Sequence, residues 1–301
     1  MNTPPARQIS PVQGRWGPPD VNAWDLTENT FLAYDFAILN PIQLDGILWQ
    51  DLPNTAIVPL RYRSQEQLFP RLIALGQLDR QARMDLFQRH LSLASAAQTD
   101  YFCLLLRCSL PGADVARHFA RQMEQYDPRR MQQDVLRLHD PRVLRHLDWI
   151  LTQAQWDNVL GPIERVAWPL AALQWVHRDR DATAHTSSNR LVLAEHQWAQ
   201  VVRLAEVNQC LLVLQRRLPD LEVQASVLAR VDRLLAKAAQ VHGLQDRADR
   251  ILFVEQAFQF GDQIHGQPVL REALARAGGG EASYIGLCAE MMEPLQQRPG
   301  T

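Results

Sequence analysis

The feature that most limits what this chain can fold into is a change of pattern near Trp168. Before it, short apolar runs alternate with helical spacings; beyond Leu191 only helical spacings remain. Phe31–Leu39, Ala56–Leu60, Tyr101–Cys108 and Val135–His139 have the apolar, branched and aromatic residues of strands. The continuous run Tyr101–Cys108 suits a strand covered on both faces. Between these runs, Ser64–Leu75, Asp79–Leu91, Pro111–Gln125 and Pro141–Leu151 carry helical spacing, with Val115, Phe119 and Met123 on one face. Thr152 is placed to cap a further helix bearing Trp156 and Val159. Strands interleaved with helices predict an α+β (or α/β) N-terminal lobe with a mixed or parallel sheet.

The second half predicts an all-α lobe. Val201, Leu204, Asn208, Leu211, Gln215 and Leu218 follow a three-four repeat that Pro219 stops. Val227, Val231, Leu234, Ala238 and Val241 form the next stripe, with Gly243 at a helix C-cap position. Ile251, Val254 and Phe258 mark a third helix ending near Gly261. Val269–Ala277 and Tyr284–Leu295 complete the set on either side of Gly278-Gly279-Gly280. The expected organisation is an extended, proline-rich segment over 1–21, an α/β lobe over 22–176 and a helical lobe over 189–301.

Charge and composition remove several function classes. A net charge of −2 gives no strong electrostatic hold on nucleic acid or anionic lipid. The basic residues are arginine throughout, except Lys237. Cys103, Cys108, Cys210 and Cys288 lie in apolar surroundings without CxxC spacing, which predicts buried, reduced thiols rather than a zinc site or a disulfide framework. Met1–Arg7 lacks the apolar core of a signal peptide, and Tyr101–Leu106 is too short to span a membrane, so a cytoplasmic location is the default expectation.

Chemistry-bearing clusters are few. His177, Asp179, Asp181 and His185 are the densest set of possible metal ligands, but they fall in a polar connecting segment, and no metal or cofactor is expected there. Gly278–Gly280 lacks the Gly-Lys-Ser of a phosphate loop, and no Gly-x-Ser-x-Gly elbow exists. Trp168, Trp175 and Trp198 suit a core and an interface equally well. The best-defined motif is Val135–Val143. A short strand runs into a helix that Asp140 caps, and Pro141 occupies the first helical position, where its missing N–H costs nothing. Arg142 then forms a surface ion pair, or it faces a groove at the strand ends together with His139. A related Asp127-Pro128-Arg129 reads as a turn.

Taken with Phe31-Leu32-Ala33-Tyr34-Asp35 and with Gln155–Pro162, the run Leu136–Leu144 resembles a known family. Its Asp140-Pro141-Arg142-Val143 matches the hallmark Asp-Pro-Arg-Val turn of the type VI secretion effector chaperones, the Tap or TEC adaptors. The similarity covers about Phe31–Trp168, and the helical tail is similar to a weaker C-terminal pattern of that family. His139 stands where the family usually has an aromatic residue, and Phe36-Ala37-Ile38 replaces a small-residue continuation after Asp35. The resemblance implies a non-enzymatic adaptor that binds a toxic effector protein and loads it onto a VgrG spike protein. His139, Asp140, Pro141, Arg142, Val143 and Asp35 are then the candidate partner-binding residues. Competing readings are an immunity protein that blocks a toxin, and an enzyme that acts on a small anionic substrate through His139 and Arg142.

Overall fold

The structure is a computed structural model that describes residues 23–97, 100–171, 174–181 and 189–296. They divide into two compact units, one reaching to Leu204 and one starting at Ala205.

The first unit is built on a seven-stranded sheet of β1 (Trp24–Asp25), β2 (Phe36–Leu39), β3 (Asn54–Ala56), β4 (Arg71–Ala74), β5 (Leu104–Arg107), β8 (Arg165–Ala171) and β9 (Gln174–Asp179). Its order is β1-β9-β8-β5-β2-β4-β3, and every pairing is antiparallel. The expected mixed or parallel sheet is therefore corrected in strand direction, while the α+β class stands. Two features explain the change. Strand β2 pairs with both β4 and β5, and the β8–β9 hairpin, which carries Trp168 and Trp175, was not read as strand at all. Pro169 within β8 lies beyond Ala167, where the pairing with β5 ends, and beside a register shift against β9. A proline is tolerated there because no ladder bond needs its N–H.

The sheet is buried on both faces, with a period of two. Phe36, Ile38, Leu72, Leu104, Leu106, Val166, Trp168 and Val176 point to one core. Ala37, Leu39, Ile73, Leu105, Ala167 and Trp175 point to the other. The first core is closed by α3 (Gly112–Met123), α4 (Pro141–Ile150), α5 (Gln153–Leu160) and the start of α6 (Glu195–Arg217). The second is closed by α1 (Glu28–Leu32), α2 (Arg80–Ala97) and the loop carrying Leu44 and Trp49.

Several local expectations change. Phe31–Leu39 is not one strand: Thr27 and Thr30 form a capping box that starts α1, and β2 begins only at Phe36. Ala56–Leu60 contributes only its first residue to β3, and Leu60–Leu68 is an irregular 3-10 stretch. Ser64–Leu75 is not a helix, since Arg71–Ala74 pairs with β2 and β3. Val135–His139 is not a strand of the main sheet. Strand β7 (Gln132–Val135) ends there and pairs only with β6 (Glu124–Asp127) in a separate hairpin. Asp127 accepts from the N–H groups of Arg129 and Arg130, which makes Asp127-Pro128-Arg129 the expected turn.

Residues 189–204 pack with the sheet unit rather than apart from it. Buried Gln122 donates to the Asn189 carbonyl and accepts from the Leu191 N–H, and Gln125 donates to the Leu191 carbonyl. Gln197 donates to the Ile150 carbonyl at the end of α4 and accepts from the Ala194 N–H. These amides satisfy backbone that has no ladder of its own.

The second unit holds the rest of α6, α7 (Ala225–Gln240), α8 (Arg247–Phe260), α9 (Pro268–Gly278) and α10 (Tyr284–Gln296). Its core includes Leu211, Leu214, Val231, Leu234, Leu235, Phe253, Val254 and Leu274. Arg250 locks α8 to α6 through two bonds to Glu206, at 2.9 and 2.8 Å, and also donates to the Leu244 and Gln245 carbonyls. Gly243 and Gly261 take positive φ at the ends of α7 and α8, as the sequence predicts. No helix among the described residues is long and apolar enough to cross a membrane.

Gly161 ends α5 at φ +51°, and a Cβ there would come within 2.4 Å of the His118 ring. Gly161→Ala should lose about 2 kcal/mol or more in urea unfolding, because backbone strain and a ring displacement add. Gly261, at φ +89° with nothing near its Cβ position, should lose less when changed to Ala.

Candidate functional site

The predicted site residues do not form one site. Asp35 lies just before β2, whereas Asp140 and Arg142 act on the thiol of Cys103, which bonds the Asn40 backbone just past β2. The two places are separated by the length of the strand, roughly 17 Å for five residues.

Asp35 does not close a strand; it opens one. Its carboxylate accepts the Cys108 N–H at 2.9 Å, its own N–H donates to Leu106, and its carbonyl accepts from Gly76. It ties the start of β2 to the end of β5, which is a structural task.

At the opposite end, Asp140 caps α4 as the sequence predicts, accepting the Arg142 N–H at 3.0 Å. The Arg142 guanidinium folds back as a fork on the same carboxylate, with Nε to Oδ1 at 3.0 Å and Nη2 to Oδ2 at 2.9 Å. That holds the Asp140 carboxyl below its ordinary range, despite a burial that pushes the other way. Asp140 is only 12% exposed, whereas Arg142 is 61% exposed. Arg145, one turn further on, is partly buried, and desolvation pulls it down to about 10 against the favourable charge of Asp140. Asp140 thus interacts with the guanidiniums of both Arg142 and Arg145.

His139 is 8% exposed and lines neither described cleft. Desolvation lowers its pKa to about 4, so it is a neutral, buried ring that follows core residues Leu136 and Leu138. Pro141 and Val143 are half-buried in the first turn of α4. The loop that leaves β2 at Asn40 presents Ile42 at 65% and Ile47 at 81% exposure.

A cleft of about 260 Å³ occurs at the Asp35 end of the sheet, lined by Trp24, Asp25, Tyr34, Arg107, Arg165 and His177 among others. Its walls are flat rings: Trp24 lies 6.4 Å from Tyr34 at 10° and 6.3 Å from His177. Arg165 is forked onto Asp179, at 2.5 and 2.9 Å, beside the Tyr34 hydroxyl, and burial pushes that phenol up to about 12. Of the His177, Asp179, Asp181 and His185 cluster, His177 lies 3.7 Å from Asp179. His185 falls outside the described residues, and no group of three or more metal-ligating side chains occurs among them. Sequence reasoning missed this cleft, since its residues come from five separate elements. Trp156, Trp168, Trp175 and Trp198 are all core residues, and Cys103, Cys108 and Cys210 are buried thiols, with Cys288 half-buried.

No protein-family model, no curated protein and no solved structure matches the chain.

Two outcomes follow from this geometry. The fold holds His139 neutral, whereas the unfolded residue titrates near 6.5. The unfolded chain therefore binds more protons between about pH 6.5 and about pH 4, and stability falls as the pH drops through that window. The difference is roughly 3 kcal/mol for this residue, and His90, lowered in the same way, adds in the same direction. His139→Phe should flatten the dependence of the urea midpoint on pH between neutrality and about pH 5. Asp35→Ala strands the Cys108 N–H and should cost about 1–3 kcal/mol by the same assay.

Proposed function

We propose that the chain is a non-enzymatic adaptor that binds a toxic type VI secretion effector and loads it onto the cognate VgrG spike, working in the bacterial cytoplasm. The observation that carries this reading is the Asp140-Pro141-Arg142-Val143 turn. It matches the family hallmark residue by residue, and Arg142 stands exposed at a capped helix start. Energetics favour recognition over stability as its purpose. An exposed ion pair contributes about 0.5 kcal/mol, whereas each buried leucine behind it contributes about 2 kcal/mol. An arginine exposed at a capped helix start suits a partner segment that carries a carboxylate.

The enzyme reading through His139 and Arg142 has less support, because the buried His139 does not line either of the described clefts. The immunity reading is separated by what the complex contains.

The test is co-expression of the tagged protein with its neighbouring toxin and spike genes. A stable complex with the toxin that also retains the spike supports the adaptor. Arg142→Ala should then weaken toxin binding about tenfold, as loss of one charge-assisted contact does, with the thermal midpoint unchanged. A toxin complex that silences the toxin and never contacts the spike would replace this reading with immunity.

A further inference from the structure

The cleft at the Asp35 end has features that the adaptor reading does not use. Arg107 donates only its Nε to a described residue, Glu164 at 3.0 Å, so its two terminal nitrogens remain available, and the side chain is 48% exposed. The indole Nε1 of Trp24 and the Nδ1 of His177 are both buried without a hydrogen-bond partner among the described residues. Burial and the Arg165 charge lower the His177 pKa, against the opposing effect of Asp179. Buried polar atoms are normally paired, and both of these belong to residues that line the cleft. Arg107 and Arg165 line the cleft together with Asp25. Each arginine is paired, with Glu164 and with Asp179, so what the cleft offers an anion is not excess charge but the terminal N–H groups of Arg107 that Glu164 leaves unused. Rings of Trp24, Tyr34 and His177 supply flat, largely apolar walls.

We infer that this cleft binds a small organic anion consisting of a carboxylate or phosphate on a flat ring. The anionic head meets the free nitrogens of Arg107 and the Trp24 indole N–H, and the ring lies against Trp24 and Tyr34. Arg165, fixed by Asp179, lies beside the Tyr34 hydroxyl. The volume of about 260 Å³ admits a single substituted ring and little more.

The test uses the full-length protein with three probes: benzoate, phenyl phosphate and neutral benzamide. The Trp24 indole N–H resonance, assigned by its loss in Trp24→Phe, is followed by NMR during titration. Saturable shifts with benzoate or phenyl phosphate, and none with benzamide, support the site, and the stronger of the two anions names the head group. Arg107→Gln should weaken that binding at least about tenfold while the thermal midpoint stays unchanged. Trp24→Phe, which keeps the ring and removes the donor, should weaken it less, read from ring resonances of the probe. Equal response to benzamide, no response at millimolar probe, or binding unaffected by Arg107→Gln overturns the proposal. None of these readouts depends on whether the chain is an adaptor.

Discussion

The first unit depends on a sheet that must be covered on both sides. Strands β2 and β5 are apolar at consecutive positions, so the pleat sends large side chains in both directions: Ile38 and Leu104 to one core, Leu39 and Leu105 to the other. Neither face tolerates water. Helices α3, α4 and α5 meet the first requirement, and α1, α2 and the Trp49 loop meet the second. Everything functional in this unit sits where the covering layers end, at the two ends of the strands.

Those ends are chemically different. At the start of β2, Asp35 clamps the Cys108 turn, and Arg107 and Arg165 project beside aromatic rings. At the other end, Asp140 begins α4 and gathers Arg142. At both ends an arginine is held in place by a carboxylate, Arg165 by Asp179 and Arg142 by Asp140. Forked guanidiniums suit this task better than lysines would, because each keeps a fixed direction after one carboxylate has been satisfied.

Buried glutamines extend the unit beyond the sheet. Gln122, Gln125 and Gln197 carry no charge, so their burial costs little once their amides are hydrogen-bonded, at both ends in Gln122 and Gln197 and through the NH2 group in Gln125. They hold an extended segment, from Asn189 to Ala194, that has no strand neighbour to satisfy it. This is why the start of α6 shares the first core through Trp198 and Leu204, although its residues read as part of a purely helical half.

What the sequence determined by itself is local. Capping at Thr152 and Asp140, the proline at the first turn of α4, the apolar face of α3, the helical stripes from Ala225 onward and the turn at Asp127 all follow from neighbours within four residues, and all are present. The α+β unit followed by helices was legible for the same reason, since periodicity is a local property. Strand direction was not. It depends on which strands meet, and the pairing of β2 with both β4 and β5 joins residues far apart in the chain. The burial of His139 and the separation of Asp35 from Asp140 were equally hidden, because apolar flanks do not say which sheet a strand joins. The cleft around Trp24, Arg107 and Arg165 exists only once β1, β5, β8 and β9 lie side by side. Its donors are orphaned by tertiary burial, and burial is a property no short stretch of sequence carries.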